Sequence, residues 1–326
     1  MRRRDFLKVG SVALCPPTAR AQQAALPVIG FLNSTSLEAI AGRLVAFRQG
    51  LRENGFVEGE NIAIEYRWAE NQIDRLPALA AELVQRRVAV IVATGGAASP
   101  LAVKAATTTI PCVFLVNEDP VKLGLVASLA RPNGNLTGVN FFTGELVAKR
   151  LELLRELVPT AKRIVVLINP RNAAIANTTI RDVSAAAGPL GLQIQTLEAA
   201  TSSEIDVAFA TIQRDHPDAV FVGADPYFTA RRIQIVQHAA HGSIPATFPT
   251  RESAEVGGLM SYGASIPDAY HMLGVYTGRI LKGAKPSDLP VAQASKFELV
   301  INHQTAKMLG LTVPPSLLSV ADEVIE

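Results

Sequence analysis

Short apolar runs alternate with amphipathic stretches along almost the whole chain. The first run, Leu26 to Leu32, has the length of a β-strand. In the stretch that follows, apolar side chains recur at helical spacing, at Ile40, Leu44, Phe47 and Leu51. Strand-like and helix-like segments alternate five times between residues 25 and 140, which predicts a doubly wound, Rossmann-like lobe built on a parallel sheet.

The second half of the chain has the same alternation. Its predicted strands are Arg163 to Ile168, Leu192 to Leu197, Ala219 to Val222, Ile244 to Phe248 and Gly258 to Tyr262. Near Gly263 the chain is predicted to cross back to the first lobe, where Asp268 to Leu281 forms a helix. The pattern therefore predicts a second doubly wound α/β lobe that is interrupted by a return to the first.

The predicted lobes are each made of two pieces of the chain. Lobe 1 takes residues 25–140 plus about 264–290. Lobe 2 takes residues 141–263 plus about 291–326, including a late strand over Lys296 to Asn302.

Two segments share a layout of apolar strand, Asp-Pro dipeptide and predicted helix. Cys112 to Val116 is followed by a polar corner that ends in Asp119 and Pro120, and Ala219 to Val222 is followed by Asp225 and Pro226. Proline suits the first position of a helix because its missing N–H would be unpaired there. Ligands of open parallel sheets bind beyond the carboxyl ends of the strands. We therefore interpret the two segments as equivalent corners of two lobes that face one cleft.

The composition fits a folded protein. Of the 326 residues, 48% are apolar and 18% are charged, which is enough apolar surface for a buried core and too little charge for disorder. No apolar stretch reaches the roughly 18 residues that a membrane-spanning helix needs. We therefore expect no membrane-spanning helix in the mature chain.

The first 21 residues resemble an export signal. The basic start Arg2 to Arg4 and Lys8 is followed by a short apolar segment and by Ala19-Arg20-Ala21, an A-x-A cleavage site. Residues 2–8, RRRDFLK, resemble the twin-arginine consensus, with an ordinary general-secretion signal as the alternative. We therefore expect a periplasmic protein whose signal is residues 1–21.

Removal of this signal changes the charge balance. The signal carries five cations and one anion, so its loss takes the formal net charge from +2 to −2. The basicity of the full chain thus belongs to the signal, and no nucleic-acid partner is expected. Cys112 is the cysteine that remains, and its apolar neighbours predict a buried thiol without a disulfide.

Motifs that are typical of enzymes are missing from the sequence. It contains no G-x-S-x-G elbow, P-loop or zinc helix. His238 and His241 could share a helix face, but they lack a third ligand and predict no metal site. We expect no catalytic residue, metal or cofactor. An exported α/β enzyme, such as a hydrolase or racemase, and a sensory ligand-binding module of a membrane receptor are the alternatives to a binding protein.

Polar and small residues at the predicted strand ends are candidate ligand contacts. Backbone N–H groups of Thr94 to Ala97, a turn that includes Gly95 and Gly96, could hold a carboxylate at a helix N-terminus. Asp119 or Asp225 could bind an ammonium group, with helix capping alone as the alternative. Candidates at the other strand ends, where ordinary loop formation is the alternative, are Asn33, Ser34, Thr35, Asn117, Asn169 and Asn172.

Four aromatic residues also fall at strand ends or crossings, namely Phe141, Phe142, Tyr227 and Tyr262. Aromatic residues make up 6% of the chain, so their concentration favours the flank of an apolar or aromatic ligand, supplied by Phe142 or Tyr262. Ordinary packing between the lobes would give the same pattern.

Four segments carry a family resemblance that spans nearly the whole mature chain in order: Asn117 to Val139, Gly257 to Gly263, Arg279 to Val291 and Lys296 to Leu318. Taken together, they resemble the substrate-binding proteins of a bacterial ABC-transporter family that includes tryptophan- and phenylalanine-type binders. The resemblance implies a type I periplasmic-binding-protein fold, in which two lobes are joined by a three-strand hinge.

The resemblance also implies partners and a ligand site. The partners are the permease and the ATPase of an ABC importer, with the chain itself expected to be monomeric. The small-molecule ligand is expected to be an amino acid, aromatic ones included, or a related carboxylate. Ligand contacts in the family come from strand-end loops of both lobes, which correspond here to Ser34, Thr35, Thr94, Gly95, Asn117, Asp119, Asn169, Asp225 and Tyr262.

Overall fold

The computed structural model of the protein describes residues 26–141 and 144–326. The predicted export signal and Phe142 therefore lie outside the described residues. The strands are β1 (Val28–Asn33), β2 (Ala63–Trp68), β3 (Val90–Thr94), β4 (Cys112–Val116), β5 (Leu136–Asn140), β6 (Arg163–Ile168), β7 (Gln193–Glu198), β8 (Ala219–Val222), β9 (Ala246–Phe248), β10 (Met260–Ala264), β11 (Ala292–Gln293), β12 (Phe297–Asn302) and β13 (Glu323–Ile325).

Helices follow most of the strands. They are α1 (Leu37–Glu53), α2 (Leu76–Gln85), α3 (Ala98–Ala106), α4 (Gly144–Leu157), α5 (Ala173–Ala187), α6 (Ser202–Asp215), α7 (Pro226–Ala230), α8 (Arg232–His241), α9 (Arg251–Glu255), α10 (Ile266–Leu281), α11 (His303–Met308) and α12 (Pro315–Val320). The predicted apolar stripe of α1 is buried along its whole length. None of the helices in the described part of the chain has the length and apolarity needed to cross a bilayer.

The strands form two sheets. The first has the order β11-β5-β4-β3-β1-β2 and is parallel throughout. The second has the order β13-β12-β10-β9-β8-β6-β7, with β10 and β12 paired antiparallel. Strands β3 and β4 are wholly buried because helices cover both faces of the first sheet. The predicted α/β class with two doubly wound lobes is confirmed.

Each sheet reverses its strand order between the second and third strands from one edge. The reversal falls between β1 and β3 in the first sheet and between β6 and β8 in the second. At such a point the connections leave the strand ends in opposite directions, which opens a crevice beyond the carboxyl ends. The two crevices contain Asn33 and Thr94 on one side and Asn169 and Asp225 on the other.

The chain passes between the sheets three times, after β5, after β10 and after β11. The connecting segments are tied together, because Ala294 N donates to Asn140 O at 2.9 Å and Ser265 N donates to Lys296 O at 2.9 Å. Strand β11 was not predicted from the sequence. It pairs with β5, so the first sheet continues beyond residue 290. The exact limits of the two lobes stay a prediction.

The prediction of a helix after Pro120 is wrong. The segment forms successive turns in which Leu123 N donates to Asp119 O at 3.0 Å and Leu125 N donates to Pro120 O at 2.9 Å. Gly124 has φ +68°, a left-handed conformation that ends a right-handed helix. The two Asp-Pro corners therefore share the strand and the turn, whereas only the second continues into helices.

Candidate functional site

A cavity of about 90 Å³ lies between the two sheets, beyond the carboxyl ends of their strands. We call it the inter-lobe cavity. About 10–15 Å³ of such space holds one water-sized group, so the cavity accommodates a small organic molecule. Seven residues predicted as candidate ligand contacts line it, namely Asn33, Thr35, Gly95, Gly96, Asn117, Asp225 and Tyr262. Both lobes contribute to this set.

Three other predicted residues lie behind this lining and position it. The Ser34 hydroxyl donates to Gly95 O at 2.6 Å. The Thr94 hydroxyl accepts from the Asn33 side chain at 2.7 Å. Asn169 donates its amide N–H to Asp225 Oδ1 at 3.0 Å.

Asp119 lies beside the inter-lobe cavity, where it caps its own turn. Its Oδ1 accepts from Val121 N at 2.9 Å and from Lys122 N at 3.2 Å. The side chain is one-third exposed. The structure thus places Asp119 in a neighbouring inter-lobe groove, together with Lys122 and Arg181.

Asp225 is a buried carboxylate in the wall of the inter-lobe cavity. Its side chain caps α7 by accepting from Tyr227 N at 2.9 Å, and Asn169 and Asn172 donate to its two oxygens at 3.0 and 3.2 Å. The residue is 6% exposed. Burial raises the pKa of Asp225, and these donors only partly oppose the rise. A cation at this wall would complete the carboxylate's surroundings.

Arg43 on α1 reaches across to the second lobe. Its Nε donates to Glu252 Oε1 on α9 at 2.7 Å, and the two side chains are 15% and 19% exposed. Burial alone would raise the pKa of Glu252, but the adjacent guanidinium outweighs burial and lowers that pKa to about 2. Arg43 therefore lines the cavity with its charge already paired.

Arg150 on α4 is a second arginine in the wall of the inter-lobe cavity. It is 3% exposed, and its guanidinium stacks at 3.7 Å from the centre of the Phe221 ring. Its Nη2 donates to Val222 O at 2.7 Å. Burial lowers the pKa of Arg150 to about 9.

Glu118 lies next to the cavity, at the end of β4. Burial raises the pKa of its carboxyl, and the charge of Asp225 adds to the rise. Both carboxyl oxygens are buried without a hydrogen-bond partner among the described residues.

Three aromatic side chains line the cavity, at Phe141, Tyr262 and Tyr270. Tyr227, a further aromatic candidate, instead packs near Phe228 and under Arg231. Phe142 lies outside the described residues. Aromatic surface thus forms part of a wall that also carries charge.

Sequence reasoning missed Arg43, Arg150 and Tyr270. Both arginines occupy positions on apolar helical stripes: Arg43 lies three residues after Ile40, and Arg150 lies three residues after Val147. Residues three apart share a helix face. A cation at a core-facing position was therefore the signal that could have found them.

The wall of the inter-lobe cavity combines a buried carboxylate, a buried guanidinium and aromatic surface. Such a wall can hold a small molecule that carries both charges and an apolar part. Over residues 26–141 and 144–326, no cluster of three or more His, Cys, Asp or Glu residues offers a metal site.

Comparisons with known proteins agree with this geometry. A family model described as "ABC transporter substrate binding protein" matches residues 26–325. A tyrosine-binding protein from Clostridioides difficile (strain R20291) is 27% identical over 267 residues, which cover 81% of this chain and 75% of that protein.

Two solved structures are similar over nearly their whole length. The ABC domain in complex with L-Trp from Streptococcus pneumonia is 26% identical, with a TM-score of 0.83 over 92% of this chain and 100% of that one. The ligand-free, open structure of a substrate binding protein with adhesive properties from Clostridium difficile is also 26% identical, with a TM-score of 0.66 over 92% and 99%. These likenesses confirm the type I periplasmic-binding-protein fold. The TM-score is higher with the L-Trp complex than with the ligand-free, open structure.

Proposed function

Because the chain belongs to the ABC transporter substrate-binding protein family, we propose that it captures an amino acid with an aromatic side chain between its lobes and delivers it to the permease of an ABC importer. The family is one of substrate-binding proteins and not of enzymes. One relative is named a tyrosine-binding protein and another was solved in complex with L-Trp, which supports the choice of ligand class.

The observation that carries the proposal is the wall of the inter-lobe cavity. Asp225 supplies a buried carboxylate for the ligand's ammonium group, and Tyr262 and Tyr270 supply aromatic surface for its side chain. The Thr35 hydroxyl donates to Asn33 Oδ1 at 2.8 Å, which leaves its oxygen as an acceptor for the ligand. An isolated buried carboxylate is costly, whereas an ammonium partner makes it favourable.

The remaining predicted contacts divide into two groups. Thr35, Gly95, Gly96 and Asn117 would touch the ligand from the first lobe. Ser34, Thr94 and Asn169 would act on it through the residues that they hold. Phe142 stays a prediction from the sequence.

Capture would proceed by closure of the lobes about the three connecting segments. In hinged binding proteins the ligand binds between open lobes, and closure buries it. The proposal includes export by the signal at residues 1–21, by the twin-arginine or the general route, and action as a monomer in the periplasm. Each lobe is built on its own sheet, and three segments of the chain connect the two sheets.

A thermal-shift screen of the mature protein tests this function. The probes are the standard amino acids, phenylpropanoic acids and short peptides. A ligand at 100 times its dissociation constant stabilises the folded state by about 2.7 kcal/mol, so L-tyrosine, L-tryptophan or L-phenylalanine should raise the melting temperature by several degrees. A screen in which no amino acid, aromatic acid or peptide raises it would contradict the proposal.

A further inference from the structure

Arg150 is a buried cation without a counter-ion in the part of the chain that the structure describes. Its contacts are the Val222 carbonyl and the Phe221 ring, and its Nε has no hydrogen-bond partner. No acidic side chain of the described residues forms an ion pair with it, although such pairs hold many of the other arginines. A buried charge is retained at a cost unless an anion completes it.

The stacking on Phe221 fixes the plane of the guanidinium. A planar guanidinium presents its N–H groups as a fork that matches the two oxygens of a carboxylate. Nη2 already donates to Val222 O. Because Arg150 also lines the inter-lobe cavity, its remaining N–H groups are the candidates for contact with a molecule in that cavity.

The other candidate anion sites of the cavity already lie beside acidic side chains. Arg43 is paired with Glu252 through its Nε, and its Nη2 has no hydrogen-bond partner among the described residues. The turn from Thr94 to Ala97 lies near Glu118, whose two carboxyl oxygens are buried without a hydrogen-bond partner among the described residues. A ligand carboxylate at that turn would approach this acidic side chain, whereas at Arg150 it would meet a cation.

We propose that Arg150 holds the carboxylate of the ligand in the inter-lobe cavity, which makes a free carboxylate the obligatory feature of the substrate class. The inference rests on the proposed solute-binding function and moves the carboxylate from the glycine turn to α4. Asp225, on another segment of the second lobe that lines the cavity, then faces the ammonium end. The ligand class is thus a free α-amino acid, and peptide-bonded or amidated forms are excluded at the carboxylate.

Matched ligands test this on the unmodified protein. Titration calorimetry compares L-tyrosine and L-tryptophan with their carboxamides, which keep the ammonium group and the ring but lose the negative charge. Leaving a buried charge unpaired is costly, so we expect the carboxamides to bind at least about 30-fold more weakly. Carboxamides that bind within threefold of the acids would overturn the inference.

Variants of the arginine provide the second arm. Arg150→Gln should weaken binding of the acids at least about 30-fold and leave that of the carboxamides nearly unchanged, so that the preference for the acid disappears. Arg150→Lys keeps the charge but not the fork and should fall in between. Arg155→Gln is the matched control, since Arg155 lies on the same helix outside the cavity lining.

The outcomes separate this inference from the proposed function. Circular dichroism and the ligand-free melting temperature show whether each variant is folded, and loss of an unpaired buried charge should not lower that temperature by much. If the unmodified protein binds the acids and Arg150→Gln binds them equally well, the inference alone fails. If the unmodified protein binds neither acids nor carboxamides, the proposed function fails, and the inference with it.

Discussion

Two aspartates that look equivalent in the sequence have different surroundings in the fold. Asp119 and Asp225 both precede a proline at the end of a strand, and both cap the turn that follows. Asp225 is buried in the cavity wall and held by two amides, whereas Asp119 is partly exposed and lies near Lys122. Capping is therefore common to both, and only Asp225 combines it with access to the cavity.

Asp225→Asn should weaken binding of L-tyrosine or L-tryptophan by at least about 30-fold, because it removes the charge that pairs with the ammonium group. Asparagine is as good an N-cap as aspartate, so the ligand-free melting temperature should change by only a few degrees. Titration calorimetry and thermal melting measure the two effects. Asp119→Asn is the control, and a larger loss of affinity there than at Asp225 would contradict the assignment.

Cys112 should be inert in the folded protein. It is wholly buried in β4, and burial raises the pKa of its thiol well above the usual range. The thiolate is the reactive form of cysteine. In a chain that begins at residue 22, Cys112 should therefore react with a thiol reagent at pH 8 at least about 100-fold more slowly in the native protein than in the protein unfolded in guanidinium. Complete labelling of the native protein within minutes would show that the strand opens.

The sequence predicts the polar part of the site better than its cationic part. Thr35, Asn117 and Asp225 were found because they follow apolar runs, and the carboxyl ends of parallel strands meet at one edge. Arg43 and Arg150 were not found because a charged residue within an amphipathic helix is usually solvated. Only the approach of the other lobe, or of Phe221, buries these two guanidinium groups.

At the scale of elements, the contact between α1 and α10 holds the two pieces of the first lobe together. Gly50 on α1 and Gly274 on α10 face each other, and a Cβ on either would overlap the backbone of the opposite helix. Small residues allow helix backbones to approach closely, which increases the number of packed atoms. The position of α10 against α1 therefore depends on a close contact between two glycines and not on the packing of large side chains.

Gly50→Ala should destabilise the protein by about 1–3 kcal/mol or more, because the added methyl group pushes α1 away from α10. Gly42→Ala is the matched control on the same helix, since its Cβ would meet no atom within 4 Å. There the better helix propensity of alanine should stabilise the protein by up to about 1 kcal/mol. Urea denaturation followed by circular dichroism measures both. Equal effects at the two positions would contradict the close contact.

Local pattern predicted the long elements and missed those that depend on distant partners. The helix stripe of α1 and the apolar strands β3 and β4 follow from spacing alone. The two residues of β11 form a strand only because Ala292 and Gln293 pair with β5, which makes β11 the edge of the first sheet. The segment after Pro120 has a favourable helix start, but Gly124 adopts positive φ and ends it after one turn. Tertiary contacts and one glycine thus decide these cases.

At the scale of the whole molecule, contacts between the lobes describe a closed arrangement. Arg43 pairs with Glu252 across the cavity, and a Cβ on Gly96 would lie 3.3 Å from Pro226 Cγ on the other lobe. The higher TM-score with the L-Trp complex than with the open relative agrees with this arrangement. Opening about the three connecting segments would separate each of these pairs and return Arg43 and Glu252 to water.

The Arg43–Glu252 pair should therefore couple closure to ligand affinity. Glu252→Gln leaves the guanidinium buried without a counter-ion whenever the lobes close, so the affinity for L-tyrosine or L-tryptophan should fall at least tenfold, which is about 1.4 kcal/mol. The double variant Arg43→Met with Glu252→Met removes both charges and should recover part of the loss. Glu255→Gln on the same helix is the control, because Glu255 pairs with Arg251 within its own lobe.

The pH dependence of that difference gives an independent check. The pKa of Glu252 is lowered to about 2 in the closed form by Arg43, and it returns to the ordinary carboxyl value of about 4.3 when the lobes open. Because the pKa of Glu252 is lower in the closed form, its ionised carboxylate favours closure fully at a pH above the open-form pKa. This contribution is lost as the pH falls towards the closed-form pKa. The affinity ratio of the unmodified protein to Glu252→Gln should thus be constant between pH 6 and 8 and shrink as the pH falls below about 4.5. Calorimetry measures this ratio across the range. A ratio that stayed constant throughout would contradict the coupling, because closure would then be equally favourable with Glu252 protonated or ionised.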